Sequence, residues 1–127
     1  MTEWVVRQLT LLRAQWPALE HIETGHWVRI PDWKLPSGWS PSVVDVAFQI
    51  KDAADQPPYA FCVNTADLTY DKSVPGNWNP TAQVGFPGTW SQFSWSPETW
   101  TPTVNPELGP NMITFVRSFD LRFEEGA

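Results

Sequence analysis

The stretch from Gly88 to Pro102, GTWSQFSWSPETWTP, constrains this chain more than any other. It sets Trp90, Trp95, Trp100 and Phe93 among Ser, Thr, Gln and Pro. A helix gathers aromatics spaced three or four apart onto one face; five-residue steps with Pro97 inside do not keep such a face. A strand fails too, because Pro97 has no N–H for a ladder and the alternation ends after Trp95. The expectation is an ordered loop whose rings are anchored on other elements, a kind of segment that often carries function. The plainer reading is that each ring patches an irregular core.

What must anchor that loop is bounded by size and charge. A chain of 127 residues is expected to form a single domain, 1–127, burying roughly two-thirds of its unfolded surface without staples. Nine Trp and thirteen Pro against seven Gly point to rigid turns rather than a flexible linker. Fourteen acidic against eight basic residues give a net charge of −6 with no Lys/Arg block, which argues against nucleic acid as a partner. Cys62 is the only cysteine, so neither an intramolecular disulfide nor a cysteine zinc cluster can form. No metal or cofactor is expected. Met1-Thr2-Glu3 opens no basic-then-apolar leader and no apolar run is long enough for a bilayer, so a cytoplasmic domain without membrane contact is expected.

Along the chain, Thr2 to Gln15 predicts a helix. Val5, Leu9, Leu12 and Trp16 form its stripe, with Glu3, Arg7, Gln8 and Arg13 mostly outside it. Thr2 is the candidate N-cap and Pro17 the stop. Arg7 and Arg13, six apart, share no face and read as solvated exterior rather than a docking surface. Ala18 to Trp39 predicts two short strands, LEHIETG and HWVRI, the second ending before Pro31. His21 and His26 lie on them with no third ligand nearby; exposed or hydrogen-bonded strand histidines are expected. Val43 to Ile50 alternates as a half-buried strand, and YAFCV alternates again. Cys62 in mid-strand reads as a small buried hydrophobe, not a nucleophile, since no basic residue lies within eight positions. Asn64 to Asn105 shows no periodic element. Met112, Phe115, Val116, Phe119 and Phe123 then predict a closing helix begun by Asn111 and ended by Gly126, with Arg117, Asp120, Arg122 and Glu124 outward.

Helix, four strands, long loop, helix is an α+β order. The chain resembles the ubiquitin-conjugating (UBC) superfamily. The resemblance rests on the Pro57-Pro58 pair before the fourth strand, the Trp100-Thr101-Pro102 triplet before the crossover helix, and that helix itself. LPSGW and FSWSPETWTP look closer to a bacterial branch, the prokaryotic ubiquitin-conjugating-like family E. It implies a UBC-like fold: N-terminal helix, four-stranded antiparallel meander, long ordered loop, crossover helix. It also implies partners from a bacterial ubiquitin-like pathway: a ubiquitin-like protein, its activating enzyme, and a JAB-type metalloprotease in the same pathway.

The departures from the family are chemical. Thioester transfer needs a thiolate several residues before that Trp, and Gly88 to Thr99 contains no cysteine. The His-Pro-Asn triplet is missing; Asn77 and Asn79 in GNWNP are its nearest relics, set far from the loop in sequence. Two readings follow. The chain is a non-catalytic relative that binds and positions a ubiquitin-like protein or its activating enzyme, with Trp95, Trp90 and Phe93 as partner-binding rings. Alternatively Ser94 or Ser96 accepts the acyl group as an oxyester, which requires His21 or His26 to arrive as base; without one, both serines serve loop hydrogen bonding. Outside the family, nine Trp permit a ring platform for carbohydrate, and His21 or His26 with Asp32 or Asp45 a small hydrolase without a motif.

Overall fold

The computed structural model describes residues 1–97, 99–101 and 111–127. Helix α1 (Glu3–Gln15) opens the chain, and the Thr2 hydroxyl accepts from the Val5 N–H as its N-cap. Strands β1 (Glu20–Ile22) and β2 (Trp27–Lys34) follow, joined by a 3-10 turn at Thr24–His26. The short β3 (Trp39–Ser40) comes before β4 (Val43–Gln49) and β5 (Phe61–Val63). Three further short strands are β6 (Thr69–Tyr70), β7 (Trp78–Asn79) and β8 (Ser91–Phe93). Helices α2 (Met112–Arg117) and α3 (Phe119–Glu125) close the fold.

One antiparallel sheet runs β1-β2-β4-β5-β8-β7, and β3 pairs with β6 in a separate two-stranded ribbon. The architecture is α+β, with the helices packed on one face. Val28, Ile30, Val46, Phe48, Phe61 and Val63 supply the sheet side of the core. Val5, Leu9 and Leu12 meet them from α1, and Phe115, Val116, Phe119 and Phe123 from the closing helices. Phe61 stacks on Phe119 with ring centroids 4.1 Å apart. The opposite face carries a smaller cluster of Ala47, Cys62, Phe86 and Trp90.

Several elements differ from their sequence-based form. β2 runs past Pro31, which sits at a register shift between Ile30 and Trp33; a bulge spares the ladder a missing N–H there. The alternation expected over YAFCV narrows to Phe61–Val63, since Ala60 adopts a positive φ of 66°. The irregular segment from Asn64 contains β6, β7 and β8; each pairs over only two or three residues, too few for a period to show. The single closing helix is two helices jointed at Ser118, whose hydroxyl donates back to the Phe115 carbonyl. Gln8, expected outside, is fully buried, and its amide oxygen accepts from the Met112 N–H at 2.8 Å, tying α1 to the start of α2. Pro102, Asn105 and Pro110, which bound the Trp-Thr-Pro triplet, the irregular segment and the closing helix, lie outside the described residues.

Candidate functional site

β8 ends at Phe93, and the two residues after it are held from both sides. The Ser94 N–H donates to the Asn77 carbonyl at 2.9 Å, and the Trp95 carbonyl accepts from the Ala60 N–H at 2.7 Å. The Trp95 indole N–H donates to the Ser118 hydroxyl at 2.9 Å, so the half-buried ring is pinned to the joint between α2 and α3. Trp100 is fixed separately: its indole donates to the Ala54 carbonyl at 2.7 Å, and its ring meets Trp4 edge-on at 6.5 Å. The long Trp-rich segment is thus riveted to α1, to the turn before β5 and to the closing helices.

Two adjoining depressions flank Trp95. One is an apolar groove of about 480 Å³, walled by Trp95, Pro97, Trp100, Phe115 and Leu121, with Ser96, Thr99, Thr114, Ser118 and Glu125 completing it. The other is a polar cleft of about 390 Å³ lined by Gly76, Asn77, Ser94, Trp95, Ser96, Arg122, Glu125 and Ala127. Arg122 stands at the back of the cleft, buried to 5% exposure rather than turned outward. Its two terminal nitrogens donate to the Gly126 carbonyl at 2.6 Å and the Gly76 carbonyl at 2.8 Å, and its guanidinium lies 4.7 Å from the centre of the Phe93 ring. Burial lowers its pKa, with Glu125 opposing; an arginine remains charged at neutral pH all the same.

The candidate residues separate sharply. Ser94, Ser96 and Trp95 meet at the cleft. Trp90 and Phe93 do not serve as partner-facing rings, because both are core residues, 2% and 0% exposed. Asn77 is not remote: the antiparallel pairing of β7 with β8 brings it beside Ser94. Asn79 instead caps its own turn, accepting from the Thr81 N–H at 3.0 Å. Arg122 is the functional candidate the sequence reading missed. It lies three residues after Phe119 and beside Phe123, so the flank of the Phe stripe was the available signal.

No histidine reaches the serines. His21 is on β1 and His26 immediately precedes β2, whereas Ser94 follows β8. Three to four strand spacings intervene, roughly 14–19 Å across the sheet. The Ser94 hydroxyl accepts instead from the Tyr59 phenol at 3.3 Å. At the far edge, the two imidazoles stack with centroids 5.8 Å apart, and His26 Nε2 lies 3.1 Å from Asp52. Burial and the neighbouring His26 and Arg13 lower the pKa of His21, with Glu23 opposing. The His–Asp32 and His–Asp45 pairs considered for a hydrolase do not form. Asp45 is bound by Arg29 and accepts from the Asp32 N–H at 3.1 Å.

Cys62 pairs with Ala47 and Gln92 between β4 and β8, 2% exposed, and burial pushes its thiol pKa up to about 12. A thiol so placed supplies no thiolate at neutral pH. Among the described residues no group of three His, Cys, Asp or Glu is placed to hold a metal ion. No helix among them is long and apolar enough to cross a membrane. None of the nine Trp, all within the described residues, is among the exposed large hydrophobics; each is buried or half-buried. Compared with known proteins, the chain matches no family model, no curated protein and no solved structure.

Proposed function

We propose that this chain is a ubiquitin-conjugating-enzyme-like component of a bacterial ubiquitin-like pathway that binds and positions a ubiquitin-like protein or its activating enzyme without thioester chemistry. The observation that carries the reading is the order of elements around Trp95. An N-terminal helix leads into β1, β2, β4 and β5, antiparallel neighbours in chain order. A Trp-rich loop then packs on the closing helices through Trp95 and Ser118, the segment to which the resemblance assigns the nucleophile. Cys62 is sealed in the sheet, and no histidine attends Ser94 or Ser96. The loop therefore has the means to hold a partner and lacks those to carry it covalently.

The test is a titration with a ubiquitin-like protein and, separately, an activating-enzyme-like adenylating protein encoded beside this reading frame. Saturable binding weakened by Trp95→Ala and indifferent to a Ser94→Ala/Ser96→Ala double substitution is expected; truncating an interface aromatic commonly costs about 2 kcal/mol of affinity. An alkali-labile adduct formed with both proteins and ATP, and abolished by the double substitution, would replace this reading with an oxyester-forming enzyme. Binding to neither protein would remove the pathway assignment altogether.

A further inference from the structure

The sheet edge opposite the Trp-rich loop holds two titratable side chains that the proposed function leaves unused. His21 on β1 and His26 in the turn before β2 stack with ring centroids 5.8 Å apart and planes 10° from parallel. Among the described residues, neither His21 Nε2 nor His26 Nδ1, both enclosed, has a hydrogen-bond partner. The charged groups around this pair come from several elements. α1 supplies Arg13, the turn supplies Glu23, and the segment after β4 supplies Asp52, 3.1 Å from His26 Nε2. Lys51 borders the same hollow as His26 and Asp52, and Arg29 of β2 reaches Glu20 of β1 at 3.9 Å.

Little besides this stack holds β1 in place. Glu20 is exposed, and His21 and Ile22 are only half-buried. The strand pairs over three residues, Glu20 with Arg29, His21 with Val28 and Ile22 with Trp27. Segments with so few buried apolar contacts open at low cost. Both ends of this one are fixed. Leu19 is buried and its N–H donates to the Trp16 carbonyl at 3.0 Å, while the His26 carbonyl accepts from the Ile50 N–H at 3.1 Å. Protonation makes both nitrogens of an imidazole donors. In His21, Nε2 would then carry an N–H with no acceptor, beside a second imidazole and Arg13. Release into water removes that cost. Burial first, then His26 and Arg13, accordingly lower the pKa of His21, with Glu23 opposing.

We propose that residues 20–25 form a proton-sensitive latch. With His21 neutral and stacked on His26, β1 lies on β2. With His21 protonated, the segment swings away and β2, eight residues long, becomes the margin of the sheet. The inference goes beyond the proposed function and does not depend on it.

The test is amide hydrogen exchange followed by NMR on the full chain at about pH 7, 6, 5 and 4, each rate divided by that of an unstructured amide at the same pH. Protection of the amides joining β1 to β2 is expected to fall several-fold between about pH 7 and pH 5. The ceiling is about 25-fold, reached if an open His21 of pKa 6.5 takes up its proton and the closed one takes up none. Protection of the amides joining β5 to β8 should stay within about twofold over the same range. His21→Gln, which cannot take up the proton, should flatten the fall at the β1–β2 amides. A change of less than about twofold at those amides, or an equal fall at the β5–β8 amides, would overturn the inference. So would an undiminished fall in His21→Gln. A fall that begins only below about pH 5, where carboxylates titrate, would overturn it as well. That last criterion needs no variant and decides the matter if His21→Gln does not fold.

Discussion

Phenylalanine and tryptophan occupy different regions of this molecule and do different work. All seven Phe are buried; Phe48, Phe61, Phe93, Phe115, Phe119 and Phe123 form one continuous centre between sheet and helices. The Trp residues ring that centre. The indoles of Trp33, Trp39, Trp78, Trp90, Trp95 and Trp100 donate to Asp120, the Phe123 carbonyl, Ser91, the Pro87 carbonyl, Ser118 and the Ala54 carbonyl respectively. An indole that leaves water needs an acceptor for its N–H, which draws it to the boundary between core and loops. The Phe centre supplies apolar burial without direction, whereas each of these six Trp fixes its segment to one named atom.

That contrast yields graded expectations. Phe119→Ala should be the most damaging, about 3–5 kcal/mol in denaturant titration, because the ring is fully enclosed and stacked on Phe61. A loss under about 1 kcal/mol would mean that the closing helices are not docked as described. Trp100→Ala should come next, at about 2–3 kcal/mol, since its ring is half-buried but holds the loop to Trp4 and Ala54. Trp39→Phe keeps most of the ring and removes only the N–H, leaving a buried carbonyl of Phe123 without that donor. About 1–2 kcal/mol is expected, and no change would show that the ring rather than the hydrogen bond matters.

The smallest effect lies at the sheet edge away from the loop. His21 has a pKa held below its ordinary 6.5, chiefly by burial and secondarily by His26 and Arg13. The folded chain binds that proton less readily than the unfolded chain does. Stability from this group is therefore complete above the unfolded pKa and declines as pH falls below it towards the folded value. Thermal melts at pH 7 and at about pH 5 should show a modest fall in Tm from this group, and His21→Gln should reduce it. An unaltered pH dependence in His21→Gln would assign the loss to the carboxylates.

The elements legible in the sequence were those with a long repeat. α1 announced itself through Val5, Leu9 and Leu12 with Thr2 as cap, and β4 through its alternation. The closing Phe stripe was legible as well, but its break at Ser118 was not: the Ser118 hydroxyl bonds the Phe115 carbonyl and accepts from the Trp95 indole, a partner twenty-three residues away that no local pattern reveals. β8 escaped notice for a similar reason: three residues gain strand geometry from β5 and β7 on either side, not from their own pattern. The cleft was half legible. Ser94, Ser96 and Trp95 were identifiable as neighbours in sequence, whereas Asn77 and Arg122 join them only through strand pairing and helix packing.

The two margins of the main sheet have a consequence for how copies of this chain meet. The longest strands, β2 with eight residues and β4 with seven, lie inside the sheet. The outermost strands are β1, with three residues, and β7, with two. Among the described residues, an approaching chain seeking to extend the sheet finds an edge strand of at most three residues at either side. Strand addition and the fibrous association that follows from it are thereby blunted by brevity, with Glu20 on β1 and Pro80 directly after β7 adding to the effect.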